Sequence, residues 1–146
     1  MTIPLEGWLY QMANRDDWGT ADYRVGVWEG KVIVWPAGKI TASDGLRPSR
    51  GDTVILFFAP SGNRKPGVYG MGVVIDLRND RLRFRLCRPS DYMKLDPLWT
   101  KTTMRTIDQV RGLVKQGTLW RMTPEQLCSI QREIRTYWGF RERAVA

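Results

Sequence analysis

The chain has 146 residues, 42% hydrophobic and 26% charged, a mixture that folds as one globular domain over residues 1–146 without help from a disulfide or metal. Its 23 lysines and arginines against 15 acidic residues leave a net charge of +8. Arginine's planar fork suits phosphate, so the excess points to DNA, RNA or another polyanion as partner. No histidine is present, which removes the commonest general base, His-dependent triads and His-ligated zinc together.

No apolar run approaches the ~18 residues of a membrane span, so no membrane partner is expected. The start, MTIPLEGWLYQ, lacks a basic stretch followed by an apolar one. Cys87 and Cys128 stand far apart, without C-x-x-C spacing. A reduced, cytoplasmic protein with no cofactor and no metal is the expectation.

In chain order, Trp8–Ala13 (WLYQMA) reads as a first strand, followed by a polar NRDDW in which Asp16 or Asp17 suits a helix cap. GVWEGKVIVW then sets Trp28 and Trp35 seven positions apart. Val32–Trp35 is β-branched and stopped by Pro36-Ala37-Gly38; as a strand it turns Ile33 and Trp35 to one face and Val32 and Val34 to the other. Residues 36–52, rich in Gly, Pro, Ser and Asp, read as loop.

Thr53–Ala59 (TVILFFA) is an apolar run of strand length, as expected of a strand buried on both faces. After the basic turn PSGNRKPG, Val68–Asp76 reads as its hairpin partner, with Gly70 and Gly72 on one face and Tyr69, Met71, Val73 and Ile75 on the other. Bare glycines on a strand admit close approach by a packed helix or a ligand. Arg81–Arg88 alternates, with Leu82, Phe84 and Leu86 inward and Arg81, Arg83 and Arg85 outward; the arginine row is either a solvated face or a phosphate track.

Residues 89–105 read as irregular, broken by Asp96-Pro97. Thr106 with Gln109 fits a capping box ahead of a helix bearing Val110, Leu113 and Val114, with Gly117 as its stop. Thr123 with Gln126 repeats the pattern, Pro124 taking the first helical position and Leu127, Ile130, Ile134 and Tyr137 or Trp138 forming the apolar stripe. The order predicts an α+β fold: a curved, mostly antiparallel sheet or open pseudo-barrel with helices covering one end.

Catalytic patterns are weak. There is no G-x-x-x-x-G-K, Asp16-Asp17 would splay its carboxylates, and Ser43-Asp44 and Ser90-Asp91 have no histidine to activate the serine. Aromatic supply is strong: seven tryptophans, several beside basic or turn residues (Trp18, Trp28, Trp35, Trp99). A stacked base gains ~1–3 kcal/mol on such a platform.

WLYQMANRDDW, GVWEG, GDTVILFFAPSGNRKPGVYGMGVVID and TLWRMTPEQLCSI, in that order, resemble an EVE domain of the PUA-like superfamily, a group related to the YTH readers of methylated RNA. The resemblance runs from Trp8 to about Ile134. It implies a PUA-like pseudo-barrel with flanking helices and a pocket for one flipped-out, modified nucleobase. By position, that pocket is framed by Gln11, Met12 and Asn14 at the end of the first strand and by Trp28, with Trp35, Phe58 and Tyr69 as candidates for a second wall. Arg64 and Lys65 on the hairpin loop, with Arg83 and Arg85, would then neutralise phosphates. The expected function is a non-enzymatic reader of a modified base in DNA or RNA. The alternatives are an ASCH-like hydrolase, from the wider superfamily, and an accessory module for a partner nuclease or toxin.

Overall fold

The computed structural model describes residues 6–12, 32–59, 66–88, 97–113 and 116–145, with residue 88 and residues 138–145 described by their backbone course. Among them are seven strands, β1 (Gly7–Met12), β2 (Val32–Pro36), β3 (Ile40–Thr41), β4 (Thr53–Phe58), β5 (Gly67–Arg78), β6 (Arg81–Arg88) and β7 (Leu119–Met122), and two helices, α1 (Lys101–Arg111) and α2 (Pro124–Val145). The strands form one mixed sheet in the order β2-β6-β5-β4-β1-β7-β3. The β1–β4 and β3–β7 pairs are parallel and the others antiparallel. The α+β expectation holds.

The connectivity forces the sheet to curl. Its two edge strands, β2 and β3, follow one another in sequence with only Ala37, Gly38 and Lys39 between them. Those residues reach about 14 Å at full extension, whereas the edges of a flat seven-stranded sheet stand about 29 Å apart. The curl also brings β1 to β2 across the concave side: the Tyr10 hydroxyl donates to the Pro36 carbonyl at 2.6 Å. Their neighbouring rings, Tyr10 and Trp35, lie 5.5 Å apart between centroids. The edges do not pair with each other, so the sheet stays open.

Strand alternation divides the core in two. Trp8, Tyr10, Met12, Ile33, Trp35, Val54, Leu56, Phe58, Leu82, Phe84 and Leu86 fill the concave side. Leu9, Ile55, Phe57, Trp120 and Met122 face the convex side, against Ile107 of α1 and Ile130 and Ile134 of α2. Thr53–Phe58 is thus buried on both faces, as its apolar run predicts. The helices lie on the convex face over β4, β1 and β7 and do not cap an end. Over β6 and β2 no described helix or strand covers that face.

Asp52 pins the corner before β4. Its buried carboxylate accepts the Trp8 indole N–H at 3.0 Å, the Ser49 amide at 2.9 Å and the Glu6 amide at 3.2 Å. The β5–β6 hairpin turns on Asn79 and Asp80, with φ of 51° and 58°. Both lie in the left-handed region that a two-residue hairpin turn matching the strand twist requires.

Four expectations need correction. The faces of β5 are not a simple alternation, because Phe57 pairs with Val68 while Leu56 pairs with Gly70, leaving Tyr69 as an extra, bulged residue. Tyr69 therefore joins the concave core while Met71 packs on the convex side. A second bulge at Ile75, between the Val74–Phe84 and Asp76–Arg83 pairs, shifts the parity again. The space over Gly72 is taken neither by a helix nor by a ligand: a Cβ there would lie 2.8 Å from the Phe84 ring of the next strand.

The first helix begins at Lys101, five residues before Thr106. Thr100 is its cap, accepting the Thr103 amide at 3.1 Å, and the same hydroxyl donates to Glu133 of α2 at 2.7 Å. That tie to α2 favours Thr100 over the sequence pattern at Thr106-Gln109; the Thr106 hydroxyl instead donates back to the Thr102 carbonyl at 2.9 Å. Gly112, at φ 60°, ends the helix in place of Gly117. Leu113 is fully exposed and outside the stripe, and Val114 lies outside the described residues. Finally, β3 interrupts the predicted 36–52 loop, and Leu119–Met122, unassigned in the sequence reading, is β7. The capping box at Thr123 does form: the Gln126 backbone N–H donates to the Thr123 hydroxyl at 3.2 Å and the Thr123 backbone N–H to the Gln126 side-chain Oε1 at 2.9 Å.

Candidate functional site

Strand direction fixes where a site can gather. Because β1 and β4 are parallel and β5, β6 and β2 follow in antiparallel steps, the ends of β1, β4 and β6 and the starts of β5 and β2 lie at one end of the sheet. Residues 13–31, 60–65 and 89–96 attach at those strand ends. Asn14, Trp28, Arg64 and Lys65 belong to these segments and lie outside the described residues.

Of the described candidates, Met12, Phe58, Tyr69 and Trp35 belong to the one concave cluster. Met12 ends β1, its register partner Phe58 ends β4, and Tyr69 is the bulged residue beside them. Phe58 and Tyr69 meet edge to face, 5.1 Å between centroids with an 81° angle. The bulge aims the Tyr69 ring at Phe58; an unbulged β5 would turn it to the helices. Trp35 lies farther along the curl, beside the start of β6, 5.3 Å from Phe84 in a near-perpendicular pair and 5.5 Å from Tyr10. It is 8% exposed, so its ring is packing inside the curl.

Gln11 points the other way. It lies on the convex side, where Arg111 Nη1 donates to its Oε1 at 3.1 Å. Arg111, buried at the end of α1, also donates to Asp108 at 3.1 Å and sets its guanidinium 5.1 Å from the Phe57 ring centroid. Phe57 in turn stacks on Trp99 at 5.6 Å. The sheet therefore separates Gln11 from Met12. Sequence reasoning missed Arg111 and Phe57; an arginine in a last helical turn carries no signal of burial.

Arg83 and Arg85 are exposed on the convex face, between Val34 and Val32 of β2 on one side and Asp76 and Val73 of β5 on the other. Arg83 Nε lies 3.3 Å from Asp76 and Arg78 Nε 3.5 Å from the same carboxylate. The row therefore carries one internal acid among its cations. At the opposite edge Arg121 pairs with Glu6 at 2.9 Å and with Asp44. The hydrogen bond to the Glu6 carboxylate, then the charges of Glu6 and Asp44, hold the Arg121 guanidinium above its ordinary pKa.

Among the described residues no three Cys, Asp or Glu side chains form a group suited to a metal ion, and no helix is long and apolar enough to cross a membrane. Comparison of the chain with family models, with curated proteins and with solved structures gives no match.

Proposed function

We propose that this protein is a non-enzymatic nucleic-acid-binding module, EVE-like in organisation, that receives a modified nucleobase at the end of its curled sheet where β1, β4 and β6 terminate. The observation that carries the reading is convergence. Met12, Phe58 and Tyr69 stand together at that end, and the segments bearing Asn14, Trp28, Arg64 and Lys65 attach to the same strand ends. Phe58 and Tyr69 supply an apolar floor, and Trp28 supplies the stacking face. A base leaving its strand loses a few kcal/mol of stacking and pairing, least from a single strand, and one aromatic platform returns ~1–3 kcal/mol. The net charge of +8 supplies attraction to the phosphate backbone whatever the sequence.

Titration of single-stranded oligonucleotides with and without base methylation, at two salt concentrations, tests this. The reading expects affinity that falls with salt and a methyl preference that persists at the higher salt. Binding that vanishes with salt and ignores the methyl group would leave only a basic surface.

A further inference from the structure

We infer that the convex face of β5, β6 and β2 carries the backbone of a single-stranded nucleic acid away from the base-receiving end, with Arg85, Arg83 and Arg81 as successive phosphate contacts. The inference rests on the proposed base reading for the strand's starting point only. Alternation puts the three arginines on the exposed face of β6, with Leu82, Phe84 and Leu86 buried on the other. Successive members stand two residues apart, about 7 Å along the strand. β6 ends where the base is proposed to enter, so the row starts near that end at Arg85 and leads away from it.

The row is built against its own electrostatics. Arg78 of β5 is the register partner of Arg81, and like charges directly opposite each other in a sheet are destabilising. Asp76, 3.3 Å from Arg83 and 3.5 Å from Arg78, is the one acid that the described strands set among these four arginines. A polyanion laid along the row relieves that repulsion and releases its own counterions. The cations are open to it: the side chains of Arg83 and Arg78 are 45% and 78% exposed.

The neighbours select the kind of polyanion. Val34 and Val32 of β2 are the register partners of Arg83 and Arg85, and both are nearly half exposed. They form an apolar column one strand spacing, ~5 Å, from the cations. Sugars and unpaired base faces can rest on such a column, whereas a duplex keeps its base faces stacked inside. A second copy of this chain would bring the same cations and be repelled.

The test measures how affinity for unmodified oligothymidylate depends on salt. The combined variant Arg81→Gln, Arg83→Gln, Arg85→Gln should flatten the slope of log K against log salt by about 2, at ~0.7 per single-strand phosphate. Arg81→Lys, Arg83→Lys, Arg85→Lys should keep the slope, which separates lost charge from lost packing. The same change of net charge on the exposed helix positions, Arg105→Gln, Arg132→Gln, Arg135→Gln, should also keep it. Equal flattening in both glutamine sets, or none in the β6 set, overturns the inference. So does a lysine set that binds as poorly as the glutamine set. Tighter binding of a duplex, or of polyglutamate of equal charge, with the same loss in the β6 glutamine set would assign the face to that partner instead. The β6 glutamine set should retain the methyl preference, and Trp28→Ala should retain the salt slope. A wild-type protein without methyl preference would therefore refute the base reading and leave the slope result standing.

Discussion

The Tyr10 hydroxyl donates to the Pro36 carbonyl at 2.6 Å, joining β1 to β2 although three strands stand between them in the sheet. It is a cross-tie of the curl rather than a rung of a ladder. Tyr10→Phe keeps the ring against Trp35 and removes the tie. The expected loss is about 0.5–1.5 kcal/mol, the ordinary net worth of one hydrogen bond. Urea unfolding should show a lower midpoint with an unchanged slope, because the surface exposed on unfolding stays the same. An unchanged midpoint would mean that the three-residue β2–β3 link alone sets the curl.

Asp52 should be far less replaceable than a loop aspartate. Its carboxylate holds the Trp8 indole, the Ser49 amide and the Glu6 amide at once. Hydrogen bonds to charged groups contribute about 1.5–3 kcal/mol each, and they do not add fully when they share one acceptor. Asp52→Ala is expected to cost about 3–5 kcal/mol by chemical denaturation and to speed hydrogen exchange of the Trp8 indole. Asp52→Asn, which keeps one acceptor oxygen, should recover part of both.

The difference between what could and could not be read beforehand has a physical basis. Alternation over Arg81–Leu86 made the inward Leu82, Phe84 and Leu86 legible, because the period of two holds there, up to the irregularity at Cys87. It failed in β5 because an extra residue at Tyr69 inverts every face after it, and a bulge depends on the partner strand. The same dependence hid β3, two residues long and defined only by pairing with β7. The Thr123–Gln126 box was legible because its hydrogen bonds are local. The true cap at Thr100 was not, since Glu133, 33 residues away, holds its hydroxyl. Gln11 and Met12, neighbours in the candidate pocket by sequence position, are set apart by the sheet itself.

The Asn79-Asp80 turn offers a stabilising change. Asp80 sits at φ 58°, a conformation that costs a side-chain-bearing residue and that glycine adopts freely. Asn-Gly is the preferred pair for such a two-residue turn. Asp80 contributes its backbone carbonyl, not its side chain, to the bond with the Ala37 amide at 2.8 Å. Asp80→Gly should therefore raise stability by about 0.5–1 kcal/mol, seen as a higher melting temperature. A fall would show that the Asp80 carboxylate does work that glycine cannot replace.

The two tryptophans of GVWEGKVIVW should separate by experiment. Trp35 is wedged between Tyr10 and Phe84 inside the curl, and truncating a buried aromatic costs about 3–5 kcal/mol. Trp35→Ala should thus lose stability first, and Trp35→Phe, which refills most of the volume, should regain most of it. Trp28 is the stacking residue of the proposed base pocket. Trp28→Ala should weaken binding of a methylated oligonucleotide by about fivefold or more, the loss of ~1–3 kcal/mol of stacking, with little change in the unfolding midpoint. Equilibrium binding and denaturation on the same two variants decide the matter. If Trp28→Ala unfolds the protein while Trp35→Phe abolishes binding without loss of stability, the roles are reversed and the base lies inside the curl.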